Sequence, residues 1–408
     1  MKLSIISPVY YKTNKYVDEL YQSLLEQTDN DWELIILLST RGEVSNKVRE
    51  DNRVKVYDDT LENNKIGRLK RKCCEYASGD IIIELDSDDM LTPTAVEDVK
   101  KAFENEDIHF VYSNSAEFNT NTWEPRTYNK WFGWRTRDFF YKDKKLLENI
   151  SFPPMATTMF RIEWAPNHLR AWRKTSYFDL GGHDDELPSG DDHDLICKFY
   201  IKYGDKGFKW LDKCLYLYRL HNENYSVTDN KEVQSIVAQN YQKYSREITN
   251  KWCDTYNLRK IDIGGYRPVR NYEIVQMNEL HNIPDNSVGV IKCFEQIQYY
   301  DNVVEIMENF YRILTHGGIL YLEVPSTNCE MAFANPLHKS FWNNSSSLYY
   351  TEKMFADNIN FKGRFQNWLT REVYPTTAHR QLNYKIIQYD FVAIKNGVIL
   401  PNKQWEVK

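Results

Sequence analysis

The chain has 408 residues, a formal net charge of −6 and 42% hydrophobic residues. Such a length exceeds the usual single domain and predicts two domains, at residues 1–250 and 257–408. With this net negative charge, the chain lacks the generally basic surface of a nucleic-acid-binding protein, so nucleic acid is not an expected partner. No apolar run approaches the ~20 residues that span a bilayer, so no transmembrane segment is expected.

Two further features concern the cellular compartment. The first predicted strand begins at Lys2, which leaves no room before it for a signal peptide. The seven cysteines are odd in number and lack metal-ligand spacing apart from the adjacent Cys73 and Cys74. They fit free thiols in a reducing compartment. The sequence therefore predicts a cytoplasmic protein.

Three predicted elements open the chain. Lys2–Tyr10 and Trp32–Leu37 are apolar runs typical of buried strands. Between them, Tyr16–Gln27 carries apolar residues at helical spacing. The order of strand, helix and strand predicts an α/β sheet, and ligands of such sheets bind at the carboxyl ends of the strands.

An acidic motif closes the next predicted strand, Asp80–Leu85. Asp86 and Asp88 are two residues apart, so in extended chain both could face the same side. A pair of hard oxygen ligands at a strand end suits Mg²⁺ or Mn²⁺ carrying a diphosphate. An isolated Asp-x-Asp is more often a plain acidic turn, so the surrounding sequence has to decide between the two interpretations.

A second acidic cluster lies further along the chain, at residues 190–194. A carboxylate in such a cluster can take the proton of a hydroxyl within hydrogen-bond reach, and Asp192 is considered for that role. We expect neighbouring acids and partial burial to raise its pKa. The alternative is structural, with Asp191 or His193 capping a helix predicted at Leu195–Tyr203.

His221 follows the predicted strand Trp210–Leu220. An imidazole nitrogen can complete a Mn²⁺ site that two aspartates leave open. A lone histidine is otherwise more often a surface or core residue.

Four aromatic residues cluster in a polar stretch at residues 114–145: Trp123, Trp131, Trp134 and Tyr141. Exposed rings stack on sugar faces, so this segment is a candidate acceptor groove. The alternative is an inserted loop with its own small apolar cluster.

These motifs resemble the family 2 glycosyltransferases, which have a GT-A fold, over roughly residues 1–230. The first strand ends in a Pro-x-Tyr turn, and Gly67 is followed by basic residues that lead into the Asp-x-Asp strand. The resemblance implies an α/β domain with a mixed central sheet that binds a nucleotide-diphosphate sugar. The residues implied in that binding are Pro8, Val9, Tyr10, Ser39, Gly67, Lys70, Arg71, Asp86, Ser87 and Asp88.

The same resemblance implies catalytic roles. Asp192 takes the place of the general base of inverting members, and Asp191 takes the place of the glutamate that precedes it. Asp86, Asp88 and His221 are the implied ligands of Mn²⁺ or Mg²⁺. The acceptor is expected to contact Trp134, Arg170 and Trp172.

One family feature is absent from this chain. Members usually end the second strand with two acids that hold the base and ribose, whereas this chain has Leu37-Leu38-Ser39-Thr40. Leucine cannot replace a carboxylate that accepts a hydrogen bond. UDP is the expected nucleotide, with Asp58, Asp59 or the hydroxyls of Ser39 and Thr40 as substitutes for the missing acids.

Beyond a helical segment at residues 231–250, a new α/β pattern resembles a class I methyltransferase domain. Only Gly264 and Gly265 remain of that family's glycine motif. The distance from Gly265 to Leu280 is too short for the usual helix, second strand and acidic end, because such a unit takes ~30 residues. We therefore expect a smaller, truncated, Rossmann-like domain that does not bind S-adenosylmethionine, its pocket filled by side chains such as Tyr266 or by the chain leading to Tyr272.

Three functions follow as alternatives. The first is a metal-dependent, inverting glycosyltransferase that moves a sugar from a nucleotide-diphosphate sugar to a carbohydrate or other hydroxyl acceptor. The second is a bifunctional enzyme that also methylates its product with S-adenosylmethionine. The third is a non-catalytic sugar- or nucleotide-binding protein. As a non-catalytic domain, the second domain would bind the acceptor, brace the first domain or pair subunits in a homo-oligomer.

Overall fold

The computed structural model describes residues 1–59, 65–128, 134–156, 159, 168–224, 228 and 230–395. The chain divides into two compact units, Met1–Ile248 and Thr249–Lys408, here called unit 1 and unit 2. Within the described residues, no helix is both long and apolar enough to cross a membrane. All seven cysteines are buried and unpaired.

Among its described residues, unit 1 contains eleven strands and six complete α-helices, together with most of a seventh. The strands are β1 (Leu3–Val9), β2 (Trp32–Leu38), β3 (Val54–Asp58), β4 (Ile81–Glu84), β5 (Met90–Leu91), β6 (Phe110–Asn119), β7 (Pro125–Arg126), β8 (Arg135–Tyr141), β9 (Lys144–Ile150), β10 (Arg170–Arg173) and β11 (Phe208–Leu220). The helices are α1 (Val17–Leu25), α2 (Asn46–Arg49), α3 (Ile66–Tyr76), α4 (Ala95–Ala102), α5 (Lys174–Asp179), α6 (Asp191–Tyr203) and α7 (Asn230–Thr255), the last of which contains the division between the units.

The sheet of unit 1 is mixed, as the sequence predicted. Its strand order is β3-β2-β1-β4-β10-β6-β11-β5. Strand β1 pairs in parallel with β2 and β4, whereas β10 runs antiparallel to β4 and β6. The parallel strands are almost continuously apolar because helices cover both faces of such a sheet. Their carboxyl ends therefore meet at one edge, where the polar residues of the sequence motifs collect.

The described part of the aromatic-rich segment contains an inserted hairpin. Strands β8 and β9 pair with each other, and β9 pairs with β6. A small apolar cluster lies beneath the hairpin and includes Phe118, Tyr141 and Leu146. The Trp134 side chain is 2% exposed and contacts Phe152, so it offers no open face to a sugar. Trp131 lies outside the described residues.

Unit 2 contains one six-stranded sheet. Its strands are β12 (Arg259–Ile263), β13 (Glu273–Val275), β14 (Val288–Phe294), β15 (Leu314–Pro325), β16 (Phe365–Val373) and β17 (Ile386–Ala393), and its helices are α8 (Val303–Ile313), α9 (Met331–Ala334), α10 (Leu348–Thr351), α11 (Lys353–Asn358) and α12 (Thr377–Gln381). The strand order is β13-β12-β14-β15-β17-β16. The first four are mutually parallel, and β17 is antiparallel to both of its neighbours.

The connection after Gly265 corrects two expectations. A second strand does form, because β13 pairs in parallel with β12, but the described connection between them contains no helix. Tyr266 is 37% exposed and does not fill the edge of this sheet. The guanidinium of Arg267 lies there instead, paired with the buried Glu323 and 3.7 Å from Glu295. Polar side chains of the chain itself therefore occupy this edge.

Candidate functional site

The predicted binding residues collect at the carboxyl edge of unit 1. Pro8 and Val9 end β1, Ser39 follows β2, and the acidic motif follows β4. The backbone N–H of Ser39 donates to the carbonyl of Val9 at 2.8 Å. The hydroxyl of Ser87 donates to Thr13 Oγ1 at 2.7 Å, which fastens the acidic motif to the loop after β1. Three strand ends thus form one continuous rim.

Glu84, the last residue of β4, is the centre of a buried charge network. Lys70 Nζ and Arg170 Nε donate to Glu84 Oε2 at 3.2 and 3.0 Å. Trp172 Nε1 donates to Oε1 at 2.5 Å, and His183 Nε2 lies 3.0 Å from the same oxygen. All five side chains are buried. One carboxylate therefore holds residues from α3, β10 and the loop before α6.

The charges of this network shift the pKa values of its members. Burial raises the pKa of Glu84, but Lys70, His183 and Arg170 outweigh it and hold that pKa well below its ordinary value. Burial lowers the pKa of Lys70, but Glu84 and Asp191 outweigh it and raise that pKa. Both groups are therefore charged at neutral pH. Lys70 is committed to this network, whereas the sequence predicted it at a phosphate.

Gly67 has a packing role that the sequence did not predict. It lies in the first turn of α3, and a Cβ atom there would be 2.5 Å from the carbonyl oxygen of Asp184 and 3.1 Å from Cβ of Asp191. Any side chain would push α3 away from the start of α6. Glycine therefore permits the close approach that brings Lys70 within 3.9 Å of Asp191.

Asp192 lies in the first turn of α6. Its Oδ2 is 2.9 Å from Arg170 Nη1, and its Oδ1 accepts a hydrogen bond from the backbone N–H of His193 at 2.7 Å. The side chain is 31% exposed, so an acceptor has access to it. Burial raises the pKa of Asp192, but Arg170 and Lys70 outweigh it, and the pKa lies at about 2. The expected upward shift is therefore wrong, because a guanidinium contacts this carboxylate.

The start of α6 also corrects the alternative role for Asp191. The helix begins at Asp191, four residues earlier than predicted, and its N-cap is Gly190, without a side-chain capping bond. Neither Asp191 nor His193 is the cap. Asp191 is buried, and its Oδ2 lies 3.5 Å from His183 Nε2. It thus faces the inner network, while Asp192 faces outward.

Asp88 and His221 meet at the opposite side of the acidic motif. His221 Nε2 lies 2.8 Å from Asp88 Oδ2, and the backbone N–H of Glu223 donates to His221 Nδ1 at 3.2 Å. Because a backbone N–H can only donate, Nδ1 accepts and a neutral imidazole carries its proton on Nε2, toward Asp88. Within the described ranges, no three His, Cys, Asp or Glu side chains form a group that could hold a metal ion.

The other two acids of the motif differ in role. Burial raises the pKa of Asp86, with Asp88 contributing and Lys70 and Arg170 opposing. Asp89 is buried, and it accepts hydrogen bonds from the Tyr216 hydroxyl and the Arg219 backbone N–H, both at 2.7 Å. Asp89 therefore fastens the motif to β11.

The predicted acceptor residues of β10 are also part of the interior. The Trp172 indole is fully buried, and Arg170 is 5% exposed. Trp172 therefore has no face open to an acceptor.

Arg71, which the sequence predicted at the donor, forms surface ion pairs. Its guanidinium lies 3.7 Å from Asp185 and 3.9 Å from Glu75.

Three functional residues escaped sequence analysis: Glu84, His183 and Asp89. The available signal for Glu84 was a carboxylate in an otherwise apolar strand, and such a buried charge needs partners. His183 stands in the motif Gly181-Gly182-His183-Asp184, where the resemblance assigns no role to the third position. Asp89 directly follows the Asp-x-Asp motif, whose two aspartates already had predicted roles, and no separate signal in the sequence pointed to a role for Asp89.

Replacing Glu84 with glutamine is expected to lower the free energy of unfolding by about 3–5 kcal/mol, because it leaves buried cations without their shared partner. Urea denaturation at neutral pH measures this change. The exposed Glu75→Gln on α3 is the control and should change stability by less than about 0.5 kcal/mol.

The pH dependence of the same pair of proteins gives a second measurement. Folding lowers the pKa of Glu84 below its ordinary value of 4.5. Its stabilisation is therefore present above that value and is lost as the pH falls below it. The difference in the free energy of unfolding between the wild type and Glu84→Gln should become smaller in acid. An unchanged difference would contradict the conclusion that Glu84 is ionised in the folded protein.

The chain was compared with known proteins. Residues 4–169, about two fifths of the chain, match the family model described as Glycosyl transferase family 2. The match is a similarity to that family over this part of the chain. The matched range contains β1 to β4 and the acidic motif, and it ends just before Arg170, so Asp192 and His221 lie beyond it.

Curated relatives are glycosyltransferases at low identity. The chain is 24% identical to a hyaluronan synthase of Pasteurella multocida over 382 residues, which cover 86% of this chain and 35% of that protein. It is 26% identical to a chondroitin synthase of Pasteurella multocida over 268 residues, covering 64% of this chain and 24% of that protein. The chain thus spans about a third or less of either relative.

Among solved structures, S. aureus TarS 1-349 in complex with UDP-GlcNAc matches with a TM-score of 0.44 and 17% identity. That alignment covers 63% of this chain and 72% of the TarS chain.

Proposed function

We propose that this protein transfers a sugar from a nucleotide-diphosphate sugar to a hydroxyl acceptor, with inversion at the anomeric carbon. The observation that carries the proposal is the position of Arg170. Its guanidinium contacts Glu84 at 3.0 Å and Asp192 at 2.9 Å, and its charge also acts on Asp86. The candidate base and the acidic motif therefore share one cation, as a single reaction centre requires.

The donor diphosphate needs a cation, and the acidic motif fits one. Asp86 and Asp88 supply the carboxylate oxygens that Mg²⁺ or Mn²⁺ prefers, and phosphate oxygens and water usually complete such sites. A bound divalent cation would neutralise the charge that develops on the leaving diphosphate. His221 orients Asp88 by donating its Nε2 proton. Nε2 can bind the cation only in the tautomer that carries the proton on Nδ1.

Asp192 is the proposed general base. The acceptor hydroxyl oxygen forms a bond to the anomeric carbon, the bond from that carbon to the diphosphate oxygen breaks, and the hydroxyl proton moves to the Asp192 carboxylate. Attack from the face opposite the leaving group inverts the configuration. The contact with Arg170 keeps Asp192 ionised in the free protein and aims its Oδ2.

UDP is the proposed nucleotide. The backbone N–H of Asp59 donates to the carbonyl of Leu38 at 2.7 Å, so Asp59 lies beside the strand end where the family carries its missing acids. Its carboxylate is paired with Arg68. Because related proteins carry the names hyaluronan synthase and chondroitin synthase, we propose a polysaccharide as the acceptor.

For unit 2 we propose a degenerate methyltransferase-like fold that binds the acceptor. Support comes from the parallel strands β13-β12-β14-β15 followed by an antiparallel strand. The site does not fit S-adenosylmethionine. A side chain at Gly264 would meet Gln296 Oε1 at 2.6 Å, and Arg267 already pairs with Glu323. Saturable binding of S-adenosylmethionine to the full chain would overturn this part of the proposal.

A screen of nucleotide sugars tests the transferase proposal. We expect one donor to raise the melting temperature of the full chain and to be hydrolysed slowly, in both cases only with Mn²⁺ or Mg²⁺. A nucleotide-binding protein without activity would show the stabilisation without hydrolysis. If no donor stabilises the protein or is cleaved, the proposal is wrong.

A further inference from the structure

A second cavity in unit 1 lies away from the rim of the sheet. It has a volume of about 570 Å³ and is bounded by Thr92–Thr94 after β5, the hairpin β8–β9 and the middle of β11. Leu215 lines it, whereas His221 lies six residues later, just after the end of the same strand, and contacts Asp88. At ~3.3 Å per strand residue, Leu215 and His221 are roughly 20 Å apart, whereas Thr92 lines the cavity within roughly 13 Å of Asp88. None of the residues that line the cavity is one of the proposed donor-binding residues.

A fixed polar network lines one side of the cavity. Arg137 donates through Nε and Nη2 to Glu148 at 2.7 and 2.8 Å, and its Nη2 also donates to Asp212 Oδ1 at 3.0 Å. Asn114 Nδ2 donates to both of these carboxylates, at 2.6 and 2.8 Å. Glu148 is 3% exposed. Because this network joins β6, β8, β9 and β11, its polar groups are held rigidly in place.

Aromatic and cationic side chains line the rest of the cavity. The Phe140 ring is 66% exposed, which is costly for so large an apolar group, whereas the adjacent Tyr141 is buried. Lys142 and Lys213 lie at the cavity, with 54% and 59% of their side chains exposed, and they pair with Glu26 and Asp98, respectively. A ligand here would meet an open ring, fixed hydrogen-bonding groups and two half-exposed ammonium groups that are each paired with one acid.

We propose that this cavity binds a segment of a carbohydrate chain. A sugar ring has an apolar C–H face that stacks on an aromatic ring and a rim of hydroxyls that bond to paired guanidinium and carboxylate groups. The volume suits a small ligand rather than a protein surface. The polar network excludes a purely apolar ligand, because its charged groups would lose their hydration without new partners.

The identity of this carbohydrate rests on the proposed function. The bound segment is a distal part of the acceptor chain, whose end reaches the donor site. Retention of the chain between transfers would follow from a contact outside the donor site. Long acceptors should therefore benefit from the cavity, whereas acceptors too short to reach from the donor site to Phe140 should not.

The full chain is probed on an array of neutral and uronic-acid-containing oligosaccharides. We expect the wild type to bind members of one class, Phe140→Ala to bind about two- to tenfold more weakly, and Phe140→Tyr to retain binding through its ring. Phe178→Ala, which removes another exposed ring of unit 1, is the control. The nucleotide-sugar hydrolysis of Phe140→Ala should equal that of the wild type.

The outcomes separate this inference from the proposed function. Asp192→Asn should lose transfer but retain glycan binding, whereas Phe140→Ala should lose binding and the advantage of long acceptors. Glycan binding without any transfer would support the cavity and contradict the transferase. The cavity proposal is overturned if the wild type binds no glycan or if Phe140→Ala binds like the wild type. It is also overturned if Phe140→Ala separates two copies of the chain, because the ring would then belong to a contact between subunits.

Discussion

Replacing Asp192 with asparagine is expected to lower kcat by about 100-fold or more while leaving the affinity for the donor nearly unchanged. The amide preserves the shape of the side chain but cannot take the proton of the acceptor hydroxyl. The fold should tolerate the change, because the Asp192 side chain is 31% exposed and α6 is capped at Gly190. Single-turnover kinetics at saturating donor measures the loss.

The matched control is Asp179→Asn, since Asp179 is another exposed aspartate of unit 1 that forms an ion pair, with Lys202 at 3.0 Å. It should retain full turnover. Weaker donor binding with normal turnover at saturation would instead assign Asp192 a structural role.

The acid side of the pH profile gives an independent test of the base. Arg170 holds the pKa of Asp192 at about 2, so the carboxylate is ionised throughout the neutral range. The kcat/KM of the wild type should therefore show no loss from Asp192 until the pH falls below the ordinary aspartate pKa of ~3.9. Removing the cation with Arg170→Gln should move that loss to higher pH.

The location of the site was predictable from the sequence because it depends on strand order. Apolar runs identify β1, β2 and β4, and ligands of such sheets bind where parallel strands end. The resemblance then selected Asp88 and His221, which are 133 residues apart in sequence, and the structure places them 2.8 Å apart. Pattern and motif thus located the rim of the site.

The charge state and accessibility of individual residues were not predictable in the same way. The pKa of Asp192 depends on Arg170, which comes from an antiparallel strand whose neighbours the sequence does not specify. Trp134 and Trp172 were candidates because they are aromatic, but burial decides whether a ring meets a sugar or the core. The second strand of unit 2 was missed because β13 has only three residues and no preceding helix.

Replacing Asp88 with alanine is expected to abolish transfer, with a loss of at least about 100-fold that added Mn²⁺ does not restore. The substitution removes a carboxylate that the cation needs and leaves the donor diphosphate without its counter-charge. Stabilisation of the protein by donor and metal should disappear together in a thermal melt. Asp107→Ala, in an exposed loop, is the control. Full activity of the wild type in excess chelator would contradict the metal requirement.

Comparison with His221→Ala shows whether His221 binds the metal itself or only orients Asp88. In the structure, His221 accepts a backbone N–H at Nδ1 and directs Nε2 toward Asp88. If it acts through Asp88, its loss should weaken metal binding about 10- to 100-fold, as is typical of residues that orient ligands. Excess Mn²⁺ should then restore most of the turnover. If His221→Ala is as inactive as Asp88→Ala at every Mn²⁺ concentration, the imidazole binds the ion directly, as a neutral imidazole does through its unprotonated nitrogen.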